Sequence, residues 1–338
     1  MTNYPEAAEA GDIISSAKNI VVVQADNPDT DSLASSLALE HILGDAGKEV
    51  TLYCGVELPS YLKYLPGADR VTSEFPSKFD AGIIVDTASE TLLEQLAKSG
   101  ARAWLAAKPV IVIDHHNTRP TIDFAKLMIS HPAVATGEVI YELAQQLGWS
   151  LNVQARELLA VSILSDSLGL TTEDTTARSI HIIAELVDSG VSLAKIENAR
   201  RETMKREPEL IAYKGRLLER VQFHDNNRIA TIPIPWEEIE KYSPLYNPSM
   251  LVIEDMRLAR GTDVAIAFKV YDSGRVTAKI RANYKKGIAG KLAEHFGGGG
   301  HAYAAGFKID GRPFDELKAE CIKIASELLD ELKKDEAV

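Results

Sequence analysis

The sequence predicts an α/β protein in two parts, a parallel-sheet domain with flanking helices followed by a smaller α+β domain. Three observations predict it. Short apolar runs each end at a polar loop and give way to a helical segment, the pattern of a parallel sheet with helices on both faces. Beyond residue 218 the texture changes to strand patterns in close succession. The length of 338 residues is more than one core usually organises.

The elements follow in order. Residues 20–23 (IVVV) end at the polar QADNPDTDS, after which LASSLALEHILGDAG has helical periodicity and a glycine stop. AGIIVD at 81–86 precedes the helical TLLEQLAKSG, and PVIVID at 109–114 ends at HHNTRP. From Thr136 to Ser192 the pattern is helical, in GEVIYELAQQLG, VQARELLAVSILSDSLGL and TARSIHIIAELVDSG. Residues 1–194 are therefore expected to form the first domain. Residues 195–218 are charged and helix-forming, which suits a connecting helical linker. Residues 219–338 form the second domain. There RIATIPIP, VAIAFKVY and RVTAKIRA read as strands, the last two joined by a DSG turn. A helix (IAGKLAEHF), four glycines, a last strand (AAGFKI) and a C-terminal helix from about 313 to 334 complete it.

Hydrophobic residues at 45% and charged residues at 25% exclude a largely disordered or fibrous chain. Thirty-seven Lys plus Arg against 49 Asp plus Glu give a net charge of −12. That argues against a protein that coats long duplex DNA or binds membranes through a basic surface, and leaves room for a small anionic ligand in a local pocket. No window approaches the roughly 18 apolar residues of a membrane span, and the acidic N-terminus lacks the basic start of an export signal. Cys54 and Cys321 lie far apart and outside any CxxC spacing, so neither a disulfide framework nor a zinc ribbon is available. The expected setting is the reducing cytoplasm.

Ligands of an open parallel sheet bind at the carboxyl ends of its strands. Here those ends carry carboxylates and histidines: Asp29 and Asp31 after the first run, Asp86 after the second, and Asp114, His115 and His116 after the third. Asp166, in the helical SILSDSLG, is flanked by apolar residues that draw it inward. A single Asp after a strand is usually a helix N-cap or a turn residue. Three successive strand ends doing so, one of them Asp-His-His, point instead to a shared site. Converging carboxylates repel one another and are costly to desolvate unless cations sit among them. Oxygen ligands with one imidazole suit Mn²⁺ or Mg²⁺ better than zinc. Two such ions would activate water and clamp a phosphoryl group, so the expected chemistry is that of a phosphoesterase.

The second domain carries GGGGH (297–301) followed by AYAAG. Backbone without side chains permits close approach and offers N–H groups to an anion, although glycine runs also make flexible turns. Residues 257–301 hold nine Lys or Arg against three acids, a local +6 within a chain of −12. Arg281, closing a strand just before Lys285 and Lys286, is suited to hold a phosphate with its planar fork.

Asp-His-His at 114–116, NPDTDS at 27–32, VDTAS at 85–89, SDSLG at 165–169 and GGGGHAYAAG at 297–306, in this order over nearly the whole chain, resemble the DHH phosphoesterases with a DHHA1 domain. The closest likeness is to the branch of nano-RNases (oligoribonuclease and pAp phosphatase) and stand-alone cyclic dinucleotide phosphodiesterases. The resemblance implies that Asp29, Asp31, Asp86, His115 and Asp166 ligate two Mn²⁺ ions, with Asp86 and Asp166 bridging. It implies that His116 touches the substrate phosphate and that Asp114 orients His115. A metal-activated hydroxide then attacks a phosphodiester. Gly298, Gly299, Gly300 and His301 receive the terminal phosphate or sugar, Arg281 steadies it, and the cleft between the domains is the active site.

The sequence departs from the family in one ligand. The first motif normally begins with His three residues before its Pro, and here that place is Ala25. Asp26, Gln24 or a water would have to stand in. The Ser usual after the strand Arg is Ala282. The expected activity is trimming of short oligonucleotides or dinucleotides to mononucleotides, with pAp or cyclic di-AMP as alternative substrates. The competing expectation is a nucleotide-binding protein whose turnover Ala25 has weakened. The family's long-DNA exonucleases carry extra OB-type domains, and the related pyrophosphatases lack the glycine-rich domain, so both fit less well. Such two-domain proteins often form homodimers.

Overall fold

The computed structural model describes residues 2–335. They divide into two compact units, one ending at Lys205 and the other beginning at Arg206.

In chain order the first unit holds α1 (Ala7–Ser16), β1 (Asn19–Val23), α2 (Thr30–Asp45), β2 (Glu49–Tyr53), β3 (Ala81–Val85), α3 (Glu94–Lys98), α4 (Ala101–Ala106), β4 (Val110–Asp114), β5 (Leu127–Ser130), α5 (Thr136–Leu147), α6 (Val153–Asp166), α7 (Ala177–Asp188) and α8 (Leu193–Met204). The five strands form one all-parallel sheet in the order β2-β1-β3-β4-β5. The expected doubly covered parallel sheet is present. Ile20, Val22, Ile83, Val85, Ile111 and Ile113 face a core shared with α1, α2, α5, α6 and α7. Val21, Val23, Ile84, Val110 and Val112 face the opposite core with Leu96 of α3 and Leu105 of α4.

The three apolar runs legible in the sequence are the central strands β1, β3 and β4, which lie side by side. The edge strands β2 and β5 escaped sequence reading for a physical reason. EVTLY and LMIS are only partly buried and carry mixed polarity, so neither reads as a continuous apolar run.

The second unit holds α9 (Pro208–Glu219), β6 (Gln222–His224), β7 (Ile229–Ile234), α10 (Trp236–Tyr242), α11 (Pro248–Arg257), β8 (Val264–Val270), β9 (Val276–Ala282), α12 (Ala289–His295), β10 (Gly299–His301), β11 (Ala304–Ile309) and α13 (Phe314–Asp335). Its sheet runs β10-β11-β9-β8-β7-β6, antiparallel except for the parallel pair β7 and β8. One face packs on α12 and α13 through Ile266, Phe268, Ile280 and Leu292. The other packs on α9, α10 and α11 through Tyr213, Ile232, Ala267 and Val252.

The stretch expected as a linker, 195–218, is helical on both sides of the division. α8 buries no residue completely, which is why it reads as uniformly polar, yet its Ile196 rests on the first unit's core. α9 buries Leu210, Tyr213 and Leu217 in the core of the second unit. Among the described residues no helix is long and apolar enough to cross a membrane.

Candidate active site

The carboxyl ends of β1, β3 and β4 lie next to one another, so the loops that leave them converge. After β1, Asp29 is the N-cap of α2, its Oδ1 accepting the Ser32 N–H at 3.0 Å. For Asp29 the ordinary capping role is therefore real. Its carboxylate nonetheless feels Asp31, His115 and His116, and burial raises its pKa.

Asp31, in the first turn of α2, is completely buried. Its Oδ2 accepts the Thr136 N–H at 2.8 Å, and its Oδ1 accepts the hydroxyls of Ser35 at 3.0 Å and of Ser162. α6 packs along α2, which puts Ser162 beside Asp31 and carries Asp166, the last residue of α6, to the same place. Asp86 leaves β3 with φ of 60°, a left-handed conformation that a non-glycine residue adopts only where its surroundings impose it. Its N–H donates to Ile113 O at 2.9 Å, and its Oδ1 accepts the Thr136 hydroxyl at 2.9 Å.

These carboxylates meet at one imidazole nitrogen. His115 Nε2 lies 3.5 Å from Asp86 Oδ1, 3.5 Å from Asp166 Oδ2 and 3.7 Å from Asp31 Oδ2. His115 Nδ1 lies 3.0 Å from Ala133 O, and the donating tautomer there turns Nε2 toward the acids. Buried Nε2 has no hydrogen-bond partner among the described residues. The electrostatic consequences are those of crowded acids. Burial first, and then Asp31 and Asp29, raise the pKa of Asp166 to about 7. The same causes push Asp86 well above the carboxylate range. Contact with Asp86 and Asp31 outweighs burial at His115 and raises it to about 10.

An unpartnered imidazole nitrogen facing three acids fits a cation. Ligand atoms of Asp31, His115 and Asp166, and separately of Asp86, His115 and His116, fall within 4.8 Å of one another. The oxygen-rich donor set suits a hard divalent ion. Asp31, Asp86, His115 and Asp166 would hold it.

The expected role of Asp114 is corrected. Its buried carboxylate does not orient His115. Oδ1 lies 2.7 Å from His116 Nδ1 and also accepts the His116 N–H, at 3.4 Å. The reason is local: Asp114 ends β4 on the side where the ring of His116 returns, while His115 reaches across to the loop before α5. The hydrogen bond to Asp114 raises the His116 pKa.

Of the stand-ins for the missing histidine, Asp26 faces elsewhere. Its Oδ2 accepts the Gln95 N–H at 2.8 Å at the start of α3, and its own N–H donates to Leu92 O at 2.7 Å. Gln24 is buried against Ser32, with Nε2 lacking a partner among the described residues. Ala25 is itself buried, its carbonyl accepting from the Cys54 thiol at 3.5 Å.

Sequence reading missed Thr136, Ser162 and the Ala133 carbonyl, which position Asp31, Asp86 and His115. The one available signal was the spacing of Ser162, one helical turn before Asp166 on the same face.

In the second unit the glycine run proves ordered. Gly297, with φ of 71°, ends α12, and the Gly298 N–H donates to Ala293 O at 2.9 Å. Gly299–His301 is edge strand β10, paired with β11. The run is thus an ordered edge strand rather than a loose turn: helix capping and pairing with β11 use part of its backbone, and its other edge has no neighbouring strand among the described residues. His301 stands opposite Ala304, and Ala304 opposite Arg281 on β9, so all three share a sheet face. Arg281 Nη1 donates to Ile280 O at 3.0 Å, and its Nε is 4.0 Å from Glu254 Oε1.

The N-terminal domain of the DHH family matches residues 19–165, and the DHHA1 domain matches residues 250–332. The chain belongs to the DHH/DHHA1 family. It is a DHH-type phosphoesterase, a hydrolase of a metal-dependent family. The DHH chain is 26% identical over 308 residues, 90% of its length and 88% of the relative's, to the "Bifunctional oligoribonuclease and PAP phosphatase NrnA" of Thermus thermophilus. It is also 26% identical to the protein of that name from Bacillus subtilis, over 88% of this chain and 91% of that one. In fold it resembles an exopolyphosphatase-related protein from Bacteroides fragilis, with a TM-score of 0.77 at 22% identity, covering 96% of this DHH chain and 97% of that one.

Proposed function

We propose that this DHH phosphoesterase hydrolyses short oligonucleotides or dinucleotides to mononucleotides with two Mn²⁺ ions, Mg²⁺ being the alternative. The observation that carries the reading is the convergence of Asp31, Asp86 and Asp166 on His115 Nε2, with His116 alongside. Divalent ions bound there supply Lewis-acid stabilisation of phosphate charge and acidify water. The chain's own residues do the rest. Asp31, fixed by Thr136, Ser35 and Ser162, and Asp86, fixed by Thr136, hold their oxygens without the freedom to turn away. His116, half-exposed and biased toward its charged form by the hydrogen bond to Asp114, donates to a phosphate oxygen. Arg281, His301, Gly298, Gly299 and Gly300 take the far phosphate or sugar of the substrate. Asp29, whose carboxylate caps α2 through the Ser32 N–H, would add a further oxygen ligand if an ion drew on it.

The two NrnA relatives, named for oligoribonuclease and PAP phosphatase activity, support this substrate class and make pAp the second substrate to test. The test is release of mononucleotide from a 5′-phosphorylated diribonucleotide in Mn²⁺, with pAp and cyclic di-AMP in parallel and Asp86→Ala as the control. Mn²⁺-dependent release that Asp86→Ala abolishes supports the reading. Equal rates for the variant and the parent overturn it.

A further inference from the structure

Next to Arg281 the second unit carries aromatic and cationic groups to which the reaction above gives no role. On the sheet face that α10 and α11 cover only in part, Lys269 of β8 stands opposite Thr277 of β9, and the next residue of β9 on that face is Lys279, opposite Ala267. Arg281 follows, opposite Ala265. The three cations thus run in one diagonal line toward Ala304 and Gly306 of β11 and the glycine strand β10. Among the described residues Lys269 has no carboxylate partner. Among the described residues the Lys279 Nζ hydrogen-bonds the Met250 sulfur, at 3.3 Å, and no carboxylate. Burial, and then the neighbouring cation, hold both ammonium groups below the usual lysine range. Such a row gains most from an anion that spans it.

Beyond Lys269 the line opens into a shallow groove of about 550 Å³ lined by Trp236, Ile239, Ser243, Pro244 and Tyr271, with the exposed carboxylate of Glu240 on its rim, so a phosphate is favoured at the Lys269 end and the base at the ring end. The Trp236 and Tyr271 rings lie 5.7 Å apart, inclined by 37°, and both are half-buried against the α9–α11 core. They present fixed aromatic faces at the end of a cationic track. A base has a π-face and its phosphate an adjacent negative charge, and nucleic-acid channels combine these same two elements.

We infer that the Trp236–Tyr271 groove with Lys269 is a subsite for a further nucleotide of an oligonucleotide, its base against the aromatic rings and its phosphate on Lys269 and Lys279. This rests on the proposed oligonucleotide substrate and deepens it. A substrate long enough to reach from Arg281 to the groove gains contacts that pAp and dinucleotides lack. The site therefore sets a preference by length rather than by base, because stacking is tolerant of sequence.

The test is binding in EDTA, where no hydrolysis occurs, of 5′-phosphorylated oligoadenylates of two to five nucleotides and of pAp, followed by fluorescence anisotropy of a labelled strand. The parent protein binds the pentanucleotide about tenfold more tightly than the dinucleotide. Lys269→Gln and Trp236→Leu each remove most of that gain while Arg281→Ala weakens every length alike. Melting temperatures check that the variants fold, and Lys269→Gln, at a partly exposed strand position, keeps the test open if Trp236→Leu does not fold. If Lys269→Gln retains the full length-dependent gain, the subsite is wrong and the substrate class stands. If the parent binds no oligonucleotide of any length in EDTA, the subsite is wrong, and the substrate class is decided separately by the Mn²⁺-dependent release assay above.

Discussion

Asp114 and His116 form a buried-to-exposed pair: the carboxylate, fully enclosed at the end of β4, lies 2.7 Å from Nδ1 of a ring that is half open to solvent. This fixes which nitrogen of His116 faces outward, and it favours the charged ring. If the protonated ring serves the reaction, activity falls as pH rises through the His116 pKa, which Asp114 holds above its ordinary value. Asp114→Asn removes that support. Its alkaline limb in kcat moves to lower pH and kcat falls by about 10- to 100-fold, with KM little changed. A pH–rate profile superimposable on that of the parent would refute the pairing's role.

The acids gathered round His115 make the chelated protein sensitive to pH. Asp166 is raised to about 7 and Asp86 is also raised, so the folded, metal-free state retains protons that the unfolded chain releases near pH 4. His115, raised to about 10, likewise stays charged above its unfolded value. In each case the folded state binds more protons, so stability falls as pH rises, from about pH 4 to 7 through the acids and from about 6.5 to 10 through His115. In EDTA the melting temperature drops by several degrees between pH 5 and 8. Saturating Mn²⁺ removes most of that slope, because the ion replaces the protons. Calorimetry with and without metal reads it.

Gly137 has no room for a side chain. A Cβ there would lie 2.1 Å from Ser162 Oγ, the hydroxyl that donates to Asp31. Gly137→Ala pushes Ser162 off Asp31 and strains the contact between α5 and α6. The expected cost is about 1–3 kcal/mol of stability, and Mn²⁺ affinity, read by titration, falls about 10- to 100-fold. Ser162→Ala, which adds no bulk, loses affinity with a smaller loss of stability. Unchanged affinity in both variants would show that Asp31 holds its place unaided.

The glycines of 297–301 are not equivalent. A Cβ on Gly298 would meet Gly306 O at 2.3 Å, whereas one on Gly299 would meet nothing within 4 Å. Gly298→Ala therefore costs stability, about 1–3 kcal/mol, through its own sheet. Gly299→Ala leaves the melting temperature unchanged and weakens nucleotide binding only where a ligand approaches that backbone. Paired melting and binding measurements separate the two, and equal melting losses would contradict this packing.

Much of the site was legible because its chemistry rides on the simplest sequence pattern in the chain. The central strands β1, β3 and β4 are apolar on both faces, so each reads as a run, and the polar residues that end each run announce what the sheet delivers. The NPDTDS loop, Asp86 and the Asp-His-His motif were found this way, Asp166 was read from its apolar flanks in a helical segment, and four of the five expected ligands converge. The edge strands, the brief β10 and the short helices α10 and α11 were not legible, since half-buried or very short elements leave no strong period.

The amino-acid sequence by itself determined the two-part α/β architecture, the family motifs and the acid-and-imidazole composition of the site, because these depend on residue type and local period. The tertiary structure decided who partners whom. Only folding shows that Asp114 serves His116 while a backbone carbonyl serves His115, that Asp29 caps a helix, that Asp26 is engaged at α3, and that Thr136 and Ser162 hold Asp31 from helices over a hundred residues away in the chain. Hydrogen bonds form between atoms that packing brings within reach, and distance in space across a parallel sheet is not written in distance along the chain.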